Sequence, residues 1–344
     1  MDYLLKFFSE QQPRRIRVIE NTLKNKRTVS TLFWAQQYGI LGWTGANRSL
    51  TRENFDEQIK RLVESGLIKV DNEKKAVLTT KGVLQQEEAN FYQPSFATWY
   101  WLADTRKVEQ RLQLGVQVVS EFAYRNRSYA PLTTDYSELQ KVKYWFRRAG
   151  KDIEDKFFHD ISILIDSLAK ENKLLAQYLT YSFSGHDLIG WTDHQAQENL
   201  HISLANLELL KYDLYLAVAA FVAKYPGIFS GLFTNLLKEG PLSQSSRTSI
   251  QLYNQGMSLD EIAKQRHIAL GTVREHILEA AIVCPTLLDF DAFFSKTVKE
   301  KLREKYKGDP ASWEYDPQLF PNIDNDFFYY RLYQIVEGEK NENR

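Results

Sequence analysis

The segment 256–277 constrains the local fold most strongly, because its spacing is that of two short helices joined by a tight turn. Ser258 occupies an N-cap position, and Glu261 follows three residues later, as in a capping box. The turn falls at 266–270, where one residue needs a positive φ, and His267 is the candidate because histidine tolerates that conformation moderately well. The sequence therefore predicts a helix-turn-helix near the C-terminus.

The second helix of this motif carries candidate DNA-binding side chains. The inward-facing residues are expected to be Ile262, Ala263, Ile268, Val273 and Ile277. The residues expected on or near the exposed side of the second helix are Gly271, Thr272, Arg274, Glu275, His276 and Glu279. Arg274 could reach a guanine or a phosphate, and Thr272 a phosphate near the helix N-terminus. The candidate DNA-binding residues of the motif are Thr272, Arg274, His276 and Arg266.

The charge of this segment leaves a second interpretation open. Between residues 243 and 285, four basic residues balance four acidic ones. A domain that binds DNA strongly on its own is normally more basic than this. The motif is therefore also compatible with a structural role, in which it packs within the fold, or with binding a protein partner.

The first 91 residues have the element order of a winged helix. Helical periodicity over 16–39 predicts two helices, and a third begins after Thr51 with Phe55, Ile59, Leu62 and Val63 on one face. Gly66 ends that helix, and the segment 67–82 with its charged turn at 71–75 predicts a β-hairpin. The third helix and the hairpin resemble the recognition helix and wing of winged-helix domains. The sequence departs from a minimal winged helix by an insertion between the second and third helices.

The N-terminal region is basic. Between Arg14 and Gly82, 14 Lys and Arg outnumber 7 Asp and Glu, a local net charge of +7. Binding to phosphates requires such a surface. The candidate DNA-binding cations of this region are Arg52, Lys60, Arg61, Lys74 and Lys75. The alternative is a winged helix that docks a protein.

The remaining sequence predicts a mainly α protein. Only 16 glycines and 9 prolines occur in 344 residues, and helical periodicity with abundant aromatic residues runs from 92 to 240. We expect four regions: a winged-helix-like domain at 1–91, a helical domain at 92–240, a helix-turn-helix domain at 241–306 and an acidic, aromatic tail at 307–344. The run 325–336 in that tail is too apolar to remain in water, so it should pack back on the protein or dock a partner.

A basic and aromatic cluster lies in the predicted helical domain. Its cations are Lys141, Lys143, Arg147, Arg148 and Lys151, and its rings are Tyr144, Trp145 and Phe146. Such residues can bind a phosphate backbone while a ring stacks on a base. Helical spacing favours a different interpretation, in which Trp145 and Phe146 enter the core and the cations form a solvated face.

The sequence contains no motif for catalysis. It has no phosphate-binding loop, no nucleophile elbow, no H-E-x-x-H and no dinucleotide fingerprint, so we expect neither an enzyme nor a cofactor. Glu198 and His201 form a single E-x-x-H motif, whereas a di-iron helical bundle needs two such motifs. We therefore expect no metal site and no small-molecule substrate. A single cysteine, Cys284, and an apolar run at 214–223 too short to span a bilayer predict a cytoplasmic protein without membrane contact.

The segment 249–281 resembles the helicase helix-turn-helix domain at the C-terminus of many RecQ-type DNA helicases. Together with the chain length and the segment 31–41, it is also similar to the YpbB-like group of free-standing proteins in low-GC Gram-positive bacteria. In those bacteria such a protein is typically encoded beside a short RecQ-like helicase. The resemblance implies that the chain supplies in trans a domain that other helicases carry in cis, and it transfers no catalytic residues.

Three functions remain open from the sequence. The favoured hypothesis is a non-catalytic accessory in DNA repair or recombination, which binds duplex or forked DNA and a RecQ-type helicase. A transcription regulator would need a symmetric dimer that reads two half-sites about one helical turn apart, and no dimer seam is evident. A scaffold would bind the helicase without touching DNA.

Overall fold

The computed structural model describes residues 3–225, 227–319 and 326–342. These residues are mostly helical, with a small three-stranded sheet near the N-terminus and a C-terminal helix-turn-helix, which confirms the predicted mainly α class. The strands are β1 (Arg14–Arg15), β2 (Ile68–Val70) and β3 (Lys75–Leu78). The helices are α1 (Ile16–Leu23), α2 (Val29–Gln37), α3 (Arg52–Glu64), α4 (Thr80–Ala89), α5 (Thr105–Ala123), α6 (Tyr136–Arg148), α7 (Ile153–Glu171), α8 (Lys173–Ser182), α9 (Asp193–Leu200), α10 (Leu204–Lys224), α11 (Phe229–Leu232), α12 (Gln244–Asn254), α13 (Leu259–Arg266), α14 (Leu270–Val283), α15 (Lys296–Lys305) and α16 (Asp326–Glu342).

The chain divides into two compact units that do not follow sequence order. The first unit contains Met1–Asn25 and Gly42–Glu239, and the second contains Lys26–Leu41 and Gly240–Arg344. Helix α2 therefore belongs to the second unit, where Leu32 and Phe33 are fully buried. The boundaries expected after residues 91 and 306 fall inside these units, and the four expected regions remain predictions as folding domains.

The first unit begins with the winged-helix-like elements. Strand β3 lies between β1 and β2, antiparallel to both, with Ile68 opposite Leu78. The predicted hairpin is confirmed, and β1 is an additional strand that the sequence did not indicate. Helix α2, the second of the three predicted helices, belongs to the second unit, so the first unit contains α1, α3 and the hairpin without it.

Helix α3 has the predicted ends but not the whole predicted face. The Thr51 hydroxyl accepts a hydrogen bond from the Asn54 amide at 3.2 Å, and Gly66 follows the helix with a φ of +68°. Val63 is 42% exposed, so its expected burial is wrong. The second hairpin strand ends at Leu78 and does not continue to residue 82, because Thr79 caps α4.

Helix α10 is the centre of the helical part of the first unit. Most of its residues from Ala205 to Val222 are buried, including 214–220 and Val222 of the apolar run, whereas Ala223 at the end of that run is exposed. Its Asp213 carboxylate is fully buried and accepts hydrogen bonds from the Tyr92 hydroxyl and from the Ser95 and Phe96 amides at 2.7–2.9 Å. Among the described residues, no helix is both long and apolar enough to cross a membrane.

The second unit is organised around helix α14, which packs against α2, α12, α13 and α16. Helix α16 contributes a row of buried apolar residues: Phe328, Tyr330, Leu332, Tyr333 and Ile335. The predicted apolar run of the tail therefore packs back on the protein over 327–336. Residues 320–325 and 343–344 of the predicted tail lie outside the described residues.

A buried ion pair joins α5 and α6 in the first unit. The Arg111 Nε donates to Glu138 at 2.5 Å, and both side chains are at most 3% exposed. Lys141, which is partly exposed, donates to the other Glu138 oxygen at 2.8 Å. Burial raises the pKa of Glu138, but the hydrogen bonds from Arg111 and Lys141 outweigh that effect and hold the pKa below its ordinary value.

We expect Glu138→Gln to lower the free energy of unfolding by about 3 kcal/mol, because it leaves the Arg111 charge buried without its carboxylate. Lys141→Ala is the matched control, since it removes only the exposed partner and should cost less than about 1 kcal/mol. Urea unfolding of both variants measures the difference. An equal loss of unfolding free energy in the two variants would contradict the inference that the buried pair of Arg111 with Glu138 is the main stabilising interaction.

Candidate nucleic-acid interface

The predicted capping box is present at the start of α13. The Ser258 hydroxyl accepts from the Glu261 amide at 3.3 Å, and the Glu261 carboxylate accepts from the Ser258 amide at 2.8 Å. These hydrogen bonds from Ser258 lower the pKa of the Glu261 carboxyl. The first helix of the motif therefore starts where the sequence predicts.

The turn between α13 and α14 has the predicted strained residue. His267 has a φ of +53° and a ψ of +44°, and the Ile268 amide donates to the Ala263 carbonyl at 3.1 Å. Behind the turn, Ile262, Ala263 and Val273 form a small buried cluster between the two helices. Ile268 packs against this cluster, and Ile277 is buried in the larger core of the unit.

The first turns of α14 are at the surface. Gly271 and Glu275 are exposed, and Thr272 and Arg274 are half-buried. Within the described part of the chain, the Arg274 guanidinium makes no ion pair. Thr272 and Arg274 therefore remain candidates for DNA contact on this helix.

The predicted exposure of His276 and Glu279 is wrong. Each of these residues is 8% exposed, because α12 packs on the face of α14 that carries them. His276 Nδ1 lies 2.8 Å from the Ser249 hydroxyl. The Glu279 carboxylate accepts from the Ser246 hydroxyl at 2.5 Å and from Arg27 at 2.9 Å. Both side chains connect elements of the second unit and do not face solvent.

Arg266 also has internal partners. Its Nη1 donates to the Ser245 carbonyl at 2.8 Å and to the Ser249 hydroxyl, and its Nη2 donates to the Ser245 hydroxyl at 3.0 Å. The guanidinium therefore links the end of α13 to α12. Burial and the Arg266 charge lower the pKa of His276, and the Glu279 carboxylate opposes them only partly.

The predicted basic residues of the winged-helix-like region are mostly paired with carboxylates. Arg52 lies 3.3 Å from Glu20, Lys60 lies 3.6 Å from Glu64, and Lys75 lies 2.6 Å from Glu73. Arg61 pairs with Glu57 one helical turn away. Lys74 is exposed in the hairpin turn with a φ of +61° and makes no ion pair with any described residue. The pairs of Lys60 and Arg61 are exposed and therefore weak, so they lower the local potential without blocking a phosphate, whereas Glu20, the partner of Arg52, is buried.

The cluster on α6 divides as its helical spacing predicts. Trp145 is buried and donates through Nε1 to the Ile228 carbonyl at 3.0 Å, and Phe146 is half-buried against the core. Tyr144 is 62% exposed, and Arg148 donates to its hydroxyl at 2.7 Å. His201 ends α9 with a φ of +54°, and no group of three or more potential metal ligands occurs among the described residues.

The geometry of α13, the turn and α14 defines a helix-turn-helix protein, and the comparison with known families agrees. Residues 245–317 match the family model described as a helix-turn-helix domain. The chain is also similar to Protein YpbB of Bacillus subtilis (strain 168), with 30% identity over 186 residues. That match covers 52% of this chain and 51% of the relative, so it spans about half the length of each. No solved structure matches the chain.

We expect His267→Gly to raise the free energy of unfolding of the second unit by about 0.5–1 kcal/mol, because glycine adopts the positive φ without strain. His267→Val should lower it by about 1 kcal/mol or more, since a β-branched side chain is poorly tolerated there. Thermal unfolding of the two variants measures both effects. A loss of stability in the glycine variant would show that the imidazole makes a stabilising contact.

We expect the stability of the second unit to fall as the pH is lowered through about 6.5, the ordinary pKa of histidine. Because the pKa of His276 is lowered in the folded state, the unfolded chain takes up the proton first, and folding loses free energy on acidification. Unfolding measured between pH 8 and pH 5 should show a shallower slope in His276→Gln. Equal slopes in His276→Gln and in the unmodified protein would contradict this origin.

Proposed function

We propose that the chain is a non-catalytic DNA-binding accessory that supplies a helix-turn-helix module in trans to a RecQ-type helicase during DNA repair or recombination. The observation that carries the proposal is the surface at the start of α14, where Thr272 and Arg274 are accessible beside exposed Gly271. A helix N-terminus favours phosphate, and an arginine on the second helix of such a motif can reach a base edge.

The helicase partner rests on the resemblance of residues 249–281 to the domain at the end of RecQ-type helicases. The bound DNA would be a duplex or a fork, held while the partner unwinds it. The protein would act in the cytoplasm, where DNA and helicase are accessible in bacteria. Neither a cofactor nor a small-molecule substrate is part of this proposal.

A scaffold that binds the helicase without DNA is the second candidate. The inward orientation of Arg266 and His276 favours it, because two of the four predicted DNA-binding residues of the motif have internal partners. The winged-helix-like cations, Lys74 excepted, are also largely paired. The two functions differ in whether purified protein binds DNA at all, and in how that binding depends on salt.

We expect Thr272→Ala combined with Arg274→Ala to weaken duplex and fork binding about tenfold or more, since one good base contact is worth about 1–3 kcal/mol. The exposed Lys296 and Thr297 on α15 provide a matched control, because Lys296→Ala with Thr297→Ala removes the same number of side chains and one positive charge. Fluorescence anisotropy with duplex, forked and single-stranded DNA across a salt series measures the affinities, with and without the helicase.

Salt-dependent binding that prefers forks and strengthens with the helicase would support the accessory function. Helicase binding with no DNA affinity at low salt would instead establish the scaffold. An unchanged duplex affinity in the double variant of α14 would move the DNA-binding surface away from this helix.

A further inference from the structure

A groove in the first unit lies between α5 and α6 and is bordered by the connection 124–135. Its volume is about 660 Å³, within the range of small-molecule and cofactor sites. The T-shaped pair of Phe122 and Phe146, with centroids 5.1 Å apart, lies within it. Arg127, Tyr136 and Lys143 also line it, so cations and rings face the same groove.

Two cations line this groove, Arg127 and Lys143, and neither has a carboxylate partner among the described residues. Three more cations nearby in the chain, Arg125, Arg147 and Lys151, also lack an ion pair among the described residues, and all five are exposed. Arg147 follows Lys143 by one turn of α6. Between 125 and 151, seven basic residues stand against two acidic ones. The local charge is therefore available to a polyanion.

The two carboxylates of this stretch are already used within the fold. Asp135 caps α6 and accepts from the Ser137 amide at 2.9 Å. Glu138 is buried and bound to Arg111 and Lys141. Glu138 is therefore withdrawn from solvent, whereas Asp135 remains exposed at the start of α6.

Exposed aromatic rings accompany these cations. Tyr136 is 72% exposed at the start of α6, and Tyr144 is 62% exposed two turns later. Tyr136, Lys143 and Arg147 are seven and four residues apart along α6 and share one helical face. Unpaired bases stack on such rings, whereas the bases of a duplex are stacked on one another.

Buried side chains of α5 hold the connection 124–135 in place. Gln117 donates to the Ala130 carbonyl and accepts from the Leu132 amide, both at 3.0 Å. Glu121 accepts from Asn126 at 2.7 Å. Irregular segments that a rigid scaffold positions in this way commonly carry binding residues.

We propose that the α5–α6 groove binds single-stranded DNA, with Lys143 and Arg147 on the phosphates and Tyr136 stacked on a base. This inference deepens the proposed DNA-binding function and rests on it. The single strand would be the one that a fork exposes, and the α14 surface would still bind the duplex. No sequence preference is expected, because stacking and phosphate contacts are available to every base.

The test measures binding of the full-length chain to a labelled oligo-dT strand and to a duplex of equal length across a salt series. Lys143→Ala with Arg147→Ala should make the single-strand salt slope shallower by about 1.4, since each phosphate contact contributes about 0.7. Tyr136→Ala should weaken single-strand binding about fivefold or more, and Tyr136→Phe, which keeps the ring, should retain it.

Lys170→Ala with Lys173→Ala is the matched charge control, because both lysines are exposed on α7 and α8 outside the groove. Unchanged single-strand binding in the groove variants would overturn the inference while leaving duplex binding by α14 intact. If the groove variants lose equal affinity for duplex and for single-stranded DNA, the groove binds duplex DNA. If the unmodified chain binds poly-glutamate but not oligo-dT, and the groove variants lose that binding, the groove binds an acidic peptide. No DNA binding by the unmodified chain would reject the proposed function itself.

Discussion

The burial of helix α14 is the constraint on which the second unit depends. Ile277, Ala280 and Ala281 are fully buried in its core, and the helix contacts both the inserted α2 and the C-terminal α16. Because one helix forms the core and also supplies the second helix of the motif, only its first turns are available to a ligand. Polar residues further along it must bond internally, since a buried polar group without a partner is costly. His276 and Glu279 satisfy this requirement through α12 and Arg27.

The pairing of charges, more than their number, distinguishes the basic surfaces of the first unit. The winged-helix-like region has the larger excess of cations, yet Arg52, Lys60 and Arg61 each have a carboxylate neighbour. The stretch 125–151 beside the α5–α6 groove has cations of comparable density, and its two carboxylates are a helix cap, Asp135, and a buried side chain, Glu138. An unpaired cation attracts a phosphate without first giving up an ion pair, which supports the single-strand binding that we propose for the groove.

Local signals predicted the fold well wherever short-range physics decides it. The capping box at Ser258, the positive φ at His267 and the hairpin after Gly66 each depend on residues within a few positions. The burial of Trp145 followed from helical spacing, and the packing of the apolar run in α16 from its apolar composition. The candidate site was predicted less completely, because Thr272 and Arg274 are accessible while Arg266 and His276 are bound to α12.

The sequence by itself determined the helical class, the helix-turn-helix and the wing-like hairpin, because capping, turn conformation and apolar spacing are properties of neighbouring residues. Only the tertiary structure decided that α2 joins the second unit, that α12 covers one face of α14, and that Glu138 is withdrawn from the basic surface of α6. Each of these depends on contacts between residues far apart in the chain. Periodicity shows that a helix has a polar face, but only packing decides whether that face meets solvent or another helix.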